Sequence, residues 1–401
     1  MNPLFAARMR TVPRSFIREI LKVTEDPEII SFAGGLPNPA SFPVADMERA
    51  AAKVLGGDGP GALQYSTSEG FAPLREFIAA RYRAQGLDVA ADEVLITTGS
   101  QQGLDLLGKV FLDKGDVAVL ERPGYLGAIQ AFSVFEPTFR AVPLQADGPD
   151  MDALEAALDK GGASGAVKMF YAVTNFQNPS GLSYSAAKRK AVAELLARRG
   201  VLLVEDNPYG ELRFMGEHLP PAWSYSTGPA VLLGTFSKVA APGLRIGWAV
   251  ARSEIMEQLV TVKQAADLHS STLTQRVLHR YLESVDLDTH IASIRARYGM
   301  HRNAMVESIA RHFPAEVACT SPEGGMFLWC ELPEGVSCMA LFDAAIARKV
   351  AFVPGLPFYV DGGGDSTFRL NFSNSDPERI ETGIRRLGEC IKDFLAQQAR
   401  A

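Results

Sequence analysis

Short apolar runs alternate with helical patterns along the central part of the chain. The runs are continuous and mostly rich in valine, leucine and isoleucine, which is typical of strands buried on both faces of a parallel sheet. The segments between them carry apolar residues at the spacing of covering helices. An α/β fold with a mostly parallel sheet is therefore predicted. The strand candidates are VLIT at 94–97, VAVL at 117–120, VKMFYAV at 167–173, VLLV at 201–204, VLLG at 231–234 and WAV at 248–250.

The pattern becomes helical after Ser253 and then changes again. One long helix is predicted across about 275–312. It is followed by a strand candidate at 324–333, a helix near 340–348 and a second strand candidate, FRLNF, at 368–372. These elements predict a smaller α/β domain at the C-terminal end.

The N-terminal part has a different character. Apolar residues at helical spacing predict a helix over 14–22 with Ser15 at its N-cap. A second helix is predicted over 45–55 and should end in the glycine and proline residues of 56–61. The predicted parts of the chain are an N-terminal helix and arm at 1–44, a large domain at 45–280, and a small domain with its linking helix at 281–401.

Composition excludes several classes of protein. With 401 residues, 47% of them hydrophobic, the chain can build a large core. The net charge of -6 and the lack of a concentrated basic segment argue against a nucleic-acid partner. No apolar run reaches the roughly 18 residues of a membrane span, and no secretory signal is recognisable, so a cytoplasmic protein is expected. The four cysteines lack CxxC spacing, so we expect reduced thiols and no metal site.

The segment between the last two strand candidates carries an unusual lysine. Lys238 follows a strand and is flanked by small and hydroxyl residues, not by other charges. A partly desolvated amine of this kind suits Schiff-base formation with an aldehyde or ketone. The hydroxyls of Thr235 and Ser237 and the guanidinium of Arg245 suit a phosphate. Together they indicate pyridoxal phosphate, whereas any single Ser-Lys pair would more often be an ordinary surface loop.

A second phosphate feature follows the first strand candidate. Gly99, Ser100 and Gln101 open a helix, whose free N–H groups and dipole attract anions. Serine is also a routine helix cap, so this signal is weak alone. Ligands of parallel sheets collect at the carboxyl ends of the strands, where all these residues lie.

Other residues at strand ends fit the same cofactor and a substrate. Asp206 follows VLLV, and a buried carboxylate there needs a cation such as a protonated pyridine nitrogen. Asn178 lies in an Asn-Pro turn as a fixed hydrogen-bond donor, and Tyr125 lies where it could stack on an aromatic ring. Arg369 lies within FRLNF and needs an anion, either a substrate carboxylate or an internal ion-pair partner.

Two further segments are candidates for contact with a ligand. Gly35 belongs to a glycine and proline segment in which the backbone can approach a ligand closely, although it could equally be a linker. Tyr65 precedes a loop and a helix, where it either packs locally or reaches the site of a neighbouring subunit.

The combined motifs resemble the class I/II aminotransferases of the fold-type I pyridoxal phosphate superfamily. The resemblance runs from about Ser15 to the C-terminus and is strongest to the 2-aminoadipate and kynurenine aminotransferase II group. It implies a seven-stranded sheet, pyridoxal 5′-phosphate and a homodimer with shared active sites. The segments that carry it are SFAGGLPNPASFP, ITTGSQQGLDLLGKVFLDKGD and GTFSKVAAPGLRIGWAV.

The resemblance also implies a role for each candidate residue. Lys238 would form the Schiff base with the cofactor and move the substrate proton, and Asp206 would keep the pyridine nitrogen protonated. Tyr209 and Asn178 would hydrogen-bond the ring hydroxyl, with Tyr125 stacked on the ring. The residues implied to hold the phosphate are Gly99, Ser100, Gln101, Thr235, Ser237, Arg245 and, from the other subunit, Tyr65.

For the substrate, the resemblance implies that Arg369, with Asn178, binds the α-carboxylate. Gly35 and Arg18 would close over the substrate, and Arg18 would pair with the distal carboxylate of 2-oxoglutarate, glutamate or 2-aminoadipate. An exposed helix arginine is the alternative for Arg18.

The expected function is transfer of an amino group between a 2-amino acid and 2-oxoglutarate by a ping-pong mechanism. The amino acid would be 2-aminoadipate, leucine or an aromatic type. A pyridoxal phosphate lyase or decarboxylase on the same fold is an alternative. A non-catalytic, aminotransferase-like regulatory domain is a further one, although about 33 residues before Gly34 are too few for a winged-helix module.

Overall fold

The computed structural model describes residues 4–10, 12, 20, 26–159 and 165–398. The predicted helix over 14–22 therefore lies outside the described residues except for Ile20, which is buried. Arg18 also lies outside them, so its expected role stays a prediction.

Strands and helices alternate along most of the chain. The strands are β1 Ile30–Ser31, β2 Val94–Thr97, β3 Val117–Arg122, β4 Thr138–Gln145, β5 Gly148–Pro149, β6 Val167–Ala172, β7 Leu202–Asp206, β8 Ala230–Thr235, β9 Gly247–Ala251, β10 Ala318–Cys319, β11 Phe327–Glu331, β12 Val350–Ala351, β13 Val353–Pro354 and β14 Thr367–Asn371. The helices are α1 Val44–Leu63, α2 Ala72–Ala84, α3 Ser100–Phe111, α4 Leu126–Ser133, α5 Met151–Leu158, α6 Ala186–Arg199, α7 Ser253–Ala266, α8 Thr272–Ser284, α9 Leu287–His312, α10 Cys338–Ala347 and α11 Pro377–Gln398.

The large sheet has the order β2-β9-β8-β7-β6-β3-β4-β5. Strands β8, β7, β6, β3 and β4 are mutually parallel, and β9 runs antiparallel to both of its neighbours. Strands β2, β3 and β6 to β9 are almost entirely buried, as their continuous apolar runs predict. The predicted α/β fold with a mostly parallel sheet is confirmed, and a two-residue strand, β5, adds an eighth strand to the seven expected.

Strand β4 was missed by the sequence pattern. It lies near the edge of the sheet, and most of its residues are partly or fully exposed. Its sequence, TFRAVPLQ, contains only the short apolar run AVPL, and the proline in that run is unusual for a strand.

The loops that carry the candidate site residues lie at one edge of the large sheet. Strands β3, β6, β7 and β8 end there because they are parallel to one another. Strand β2 ends there as well, because it is antiparallel to β9, which is itself antiparallel to β8. The loop from β8 turns back into β9 at the same edge, so residues 236–246, which include Lys238, lie beside the ends of the parallel strands.

The C-terminal elements form a second sheet with the order β10-β11-β14-β13, which is antiparallel throughout. Helices α9 and α11 pack against each other beside it. The N-terminal arm joins this region, because β1 pairs in parallel with β12. The boundaries proposed at 44/45 and 280/281 stay a prediction.

The helix predicted over 45–55 is interrupted within 56–61, as expected, because the backbone at Asp58 is not helical. A short helical segment follows this kink and ends at Leu63, so α1 consists of two segments.

Two predictions about local structure were wrong. The single helix expected over 275–312 is divided into α8 and α9, where the side chain of Asp286 caps the second helix. Cys319 and Cys330, which face each other on β10 and β11, form a disulfide instead of remaining reduced.

The other two cysteines, Cys338 and Cys390, are buried thiols. In the part of the chain that the structure describes, no helix is long and apolar enough to cross a membrane.

Candidate active site

A cavity of about 600 Å³ opens at the carboxyl edge of the large sheet. This volume is in the range of small-molecule sites. Ten of the residues singled out from the sequence line it, which brings together segments that are up to 145 positions apart (Ser100 to Arg245). These residues are Ser100, Gln101, Tyr125, Asn178, Asp206, Tyr209, Thr235, Ser237, Lys238 and Arg245.

The amine of Lys238 lies in this cavity. Its Nζ donates a hydrogen bond of 3.1 Å to the carbonyl oxygen of Gly35 and lies 5.8 Å from the centre of the Tyr209 ring. Burial lowers the pKa of Lys238 to about 8, assisted by the positive charges of Arg369 and Arg245. About a tenth of this amine is therefore uncharged and nucleophilic at pH 7, far more than for an ordinary lysine.

Asp206 ends strand β7 with its side chain buried. Its Oδ2 accepts a hydrogen bond of 2.8 Å from the hydroxyl of Tyr171, whereas its Oδ1 has no hydrogen-bond partner among the described residues. Burial raises the pKa of Asp206 to about 6, although Tyr171 and Lys238 oppose that rise. A buried, unpartnered carboxylate oxygen that faces a cavity fits a protonated ring nitrogen of a ligand.

Arg369 is 1% exposed and lies on β14, in the four-stranded antiparallel sheet. Its two terminal nitrogens donate to the side-chain oxygen of Asn178 and to the carbonyl oxygen of Ala33, both at 2.7 Å. Its Nε has no partner among the described residues. Burial lowers the pKa of Arg369 to about 10, so the guanidinium remains charged at neutral pH.

Asn178 occupies the turn after β6, where the Asn178-Pro179 peptide bond is cis. Besides accepting from Arg369, it donates from Nδ2 to the hydroxyl of Tyr209 at 3.4 Å. Tyr209 is buried, and burial raises the pKa of its hydroxyl well above the usual value. The phenol is therefore neutral and able to donate a hydrogen bond.

The other end of the cavity suits a phosphate. Helix α3 begins at Ser100, and its N-cap, Gly99, has φ 75°, a conformation that favours glycine. A side chain at position 99 would collide with the guanidinium of Arg245, so glycine allows that arginine to lie against the helix terminus. The Thr235 hydroxyl donates to that of Ser237 at 2.9 Å. Free helix N–H groups, two hydroxyls and a guanidinium here can all donate to an anion.

The remaining candidates lie around the cavity or away from it. Tyr125 borders the cavity at the N-cap of α4. Gly35 packs against the ring of Phe327, where an added Cβ would lie 3.0 Å from the ring carbon Cζ. Tyr65 does not line the cavity; it is 79% exposed and makes an edge contact with the ring of His269.

Sequence reasoning missed several residues that orient the site. Tyr171 was interpreted only as part of an apolar strand, although a tyrosine buried in such a strand needs a hydrogen-bond partner. The rings of Phe327 and Phe358 lie under the Arg369 guanidinium at 4.3 Å and 5.5 Å. The chain gives no local signal for these contacts, because they join segments far apart in sequence.

Glu121 was also missed. It is fully buried at the end of β3 and accepts hydrogen bonds from the Tyr184 hydroxyl, the Gln177 amide and the backbone N–H of Val173. Because Gln177 precedes Asn178 and Val173 lines the cavity, these bonds fix the loop that carries Asn178.

The site fits pyridoxal 5′-phosphate. For the ring it offers an amine and a buried carboxylate oxygen, and for the phosphate a helix N-terminus with hydroxyls and an arginine. The Nε of Arg369 is available for a carboxylate, and neither this nitrogen nor the carboxylate oxygen has a partner in the part of the chain that the structure describes. Within the described ranges, no group of three or more His, Cys, Asp or Glu side chains could hold a metal ion. Fold and site together define a pyridoxal-phosphate-dependent enzyme.

Comparison with known proteins gives the family. Residues 30–387 match the family model "Aminotransferase class I and II". The chain is 45% identical to the 2-aminoadipate transaminase of Thermus thermophilus, covering 96% of each protein. It is 41% identical to the aromatic-amino-acid aminotransferase 1 of Thermococcus litoralis, covering 98% of this chain and 94% of the relative.

A solved structure agrees. The α-aminoadipate aminotransferase LysN of Thermus thermophilus, complexed with N-(5′-phosphopyridoxyl)-L-leucine, superposes with a TM-score of 0.90 at 43% identity and covers 98% of each chain. The chain belongs to the class I and II aminotransferases. It is a transaminase of amino acids, and pyridoxal 5′-phosphate is its cofactor.

Proposed function

We propose that this enzyme transfers the amino group of 2-aminoadipate, leucine or an aromatic amino acid to 2-oxoglutarate by a ping-pong mechanism. The observation that carries the proposal is the Nε of Arg369, a buried guanidinium nitrogen without a partner among the described residues. This guanidinium is bonded to Asn178, which lines the cavity, and its charge contributes to the lowered pKa of Lys238. A 2-amino or 2-oxo acid presents a carboxylate to the arginine and its reacting carbon to the lysine.

The bound pyridoxal phosphate supplies an electron-accepting ring that stabilises negative charge at the substrate α-carbon. Oδ1 of Asp206 holds the proton on the ring nitrogen, and the Tyr171 hydroxyl fixes the other carboxylate oxygen. The Tyr209 hydroxyl and the Asn178 amide bind the ring hydroxyl, and Tyr125 stacks on the ring.

The phosphate is held at the N-terminus of α3. The N–H groups of Ser100 and Gln101 and the hydroxyls of Thr235 and Ser237 donate to its oxygens, next to the Gly99 turn. Arg245, which lies against Gly99, adds a positive charge.

Lys238 is both the attachment point for the cofactor aldehyde and the base of the reaction. With a pKa lowered to about 8, its Nζ can remove the proton from the α-carbon of the bound amino acid and release it again. Its hydrogen bond to the Gly35 carbonyl also ties the amine to the N-terminal arm, so the arm lies over the reacting atoms.

Substrate binding uses both domains. Arg369 presents Nε and its remaining N–H hydrogens to the α-carboxylate while Asn178 and Ala33 hold its other face. Gly35 and Arg18 close over the side chain, and Arg18 pairs with a distal carboxylate. The named substrates of the relatives support this choice, because they include 2-aminoadipate and aromatic amino acids, and a leucine adduct occupies the solved neighbour.

The proposal includes a homodimer that works in the cytoplasm. Tyr65 is exposed next to Leu63, and its ring contacts His269, beside exposed Leu268. In the dimer, Tyr65 of each subunit reaches the phosphate of the other one, and these apolar side chains are covered.

A donor panel tests the proposal. Purified enzyme would be mixed with 2-oxoglutarate and 2-aminoadipate, leucine, phenylalanine or alanine, and glutamate would be measured. We expect glutamate from at least one of the first three and conversion of one equivalent of cofactor to its amino form by the donor alone. Release of carbon dioxide or an elimination product without that conversion would instead identify a lyase or decarboxylase.

A further inference from the structure

Lys263 is a fully buried lysine outside the cavity. It lies on α7, and its Nζ donates to Gln102 Oε1 at 2.9 Å, to the carboxylate of Asp267 at 2.9 and 3.2 Å, and to Ser270 Oγ at 3.1 Å. Burial lowers the pKa of Lys263, whereas the hydrogen bond to Asp267 raises it. Lysine is almost never fully buried unless it is paired, so this position requires an explanation.

Stability alone does not explain it. A buried ion pair adds little net stability compared with apolar side chains of similar volume, because desolvation opposes the attraction between the charges. The polar cluster instead orients the groups around Lys263, because each hydrogen bond fixes the position of its partner.

One set of partners belongs to the phosphate-binding turn. Gln102 is in the first turn of α3, and its Oε1 also accepts from the backbone N–H of Thr98 at 2.8 Å. The hydroxyl of Thr98 donates to Asp267, and the Gln102 amide donates to the same carboxylate at 2.6 Å. Thr98 directly precedes Gly99, so this cluster sets the direction of the N–H groups that open α3.

The other set leads to the loop that carries Tyr65. The carbonyl oxygen of Ser270 accepts from the Gln275 amide at 2.9 Å, and the Gln275 oxygen accepts from the backbone N–H of Phe71 at 2.7 Å. At the start of the loop, the N–H of Ser66 donates to the ring of His269, the residue before Ser270. Both ends of the loop from 66 to 71 are therefore attached to the segment that Lys263 holds.

We propose that Lys263 is a positioning residue that fixes the relative positions of two parts of the phosphate site. One part is the α3 turn of its own subunit, and the other is the Tyr65 loop that completes the site of the second subunit. The inference rests on the proposed roles of that turn and of Tyr65 in the dimer.

The test separates phosphate binding from the rest of the site. The dimeric enzyme, stripped of cofactor, would be titrated with pyridoxal phosphate and with pyridoxal, which lacks the phosphate, in wild type and Lys263→Met. We expect the Kd for pyridoxal phosphate to rise about tenfold or more, as for the loss of one or two charge-assisted hydrogen bonds. The Kd for pyridoxal should change less than about threefold, because pyridoxal has no phosphate to contact the turn and the Tyr65 loop that Lys263 positions.

Lys188→Met is the matched control. The side chain of Lys188 is 17% exposed, and its Nζ donates to Gln145 and to the carbonyl oxygen of Pro149, both at 2.8 Å, away from the phosphate turn. Neither Kd should change in this variant. If Lys263→Met fails to fold, Gln102→Met, which breaks the link to Thr98 without burying a charge, should give the same separation of the two affinities.

The proposed link between Lys263 and Tyr65 is tested by combining substitutions at both positions. Lys263→Met and Tyr65→Phe should lose less affinity for pyridoxal phosphate together than the sum of their separate losses, because both act through one loop. Equal weakening of both ligands, unchanged affinity for both, or strict additivity with Tyr65→Phe would each overturn the inference. Failure of the wild type to bind either ligand would contradict the proposed cofactor site instead.

Discussion

A hydrogen bond of 2.7 Å joins the guanidinium of Arg369 to the side-chain oxygen of Asn178. One lies in the antiparallel sheet of the C-terminal region and the other follows a strand of the large sheet. Asn178 also contacts the hydroxyl of Tyr209, so one amide connects the proposed carboxylate site with the proposed cofactor site. If both sites bind as proposed, this one side chain couples substrate binding to cofactor binding.

Asn178→Ala should therefore weaken substrate binding. Without its amide oxygen, Arg369 loses the partner that orients it, and we expect KM for both the amino acid and the oxo acid to rise about tenfold or more. Steady-state kinetics with each substrate varied would measure it, with Asn374→Ala, an exposed residue, as the control. Unchanged KM values for both substrates would contradict the proposed role of this pair.

The buried carboxylate of Asp206 predicts a pH dependence of cofactor binding. Because its pKa is raised to about 6 in the cofactor-free protein, the ionised form that pairs with the ring nitrogen is lost as pH falls through 6. Affinity for pyridoxal phosphate should fall over that interval.

Tyr171→Phe tests the origin of this pKa. The tyrosine hydroxyl lowers the pKa of Asp206, so its removal should move the acidic limb of the affinity profile to higher pH, by about half to one pH unit for one lost hydrogen bond. Tyr82→Phe removes a buried hydroxyl that accepts from Trp248, and should leave the profile in place. An identical profile in Tyr171→Phe and wild type would rule out this assignment.

Glu121 predicts a pH dependence of stability. Burial raises the pKa of this carboxyl to about 8 despite the hydrogen bonds from Tyr184, Gln177 and Val173. The folded state then binds the proton more tightly than the unfolded state, so the free energy of unfolding contributed by Glu121 should decrease as pH rises from about 4.5 to 8. Chemical denaturation of the cofactor-free protein across this range should show a smaller decrease in Glu121→Gln. If the variant followed the wild-type curve, ionisation of Glu121 would not change the free energy of unfolding.

The lowered pKa of Lys238 predicts that the rate of cofactor uptake increases with pH. Only the uncharged amine attacks the aldehyde, and its pKa is about 8, so uptake should become faster with rising pH and level off above 8. Stopped-flow absorbance after mixing with pyridoxal would follow it and avoids the titration of the phosphate. A midpoint near the usual lysine value of about 10.4 would mean that the amine is not desolvated.

The fold was predictable where burial is complete. The runs at β2, β3 and β6 to β9 are apolar throughout because both faces are covered, whereas β4 was missed because its residues are largely exposed. The glycines of 56–61 correctly predicted an interruption of α1, which has non-helical backbone at Asp58, but not the short helical segment that follows it to Leu63. The Cys319–Cys330 disulfide depends on strand register, which spacing along the chain does not reveal.

The sequence predicted those site residues that have reactive or polar side chains and directly follow a strand. Residues such as Asp206, Asn178 and Lys238 are out of place in their local sequence and follow strands, so their convergence could be expected from the topology of a parallel sheet. Tyr171 and Glu121 could not be recognised in this way. Their importance lies in partners on neighbouring strands and loops, which only the three-dimensional arrangement brings near.

The central claim is that the amine of Lys238 carries the cofactor. Enzyme saturated with pyridoxal phosphate would be reduced with borohydride and digested, and the peptides would be analysed by mass spectrometry. The account predicts a stable phosphopyridoxyl group on Lys238 and none in Lys238→Ala. A label on another lysine, or an unlabelled Lys238 in enzyme that transaminates, would contradict it.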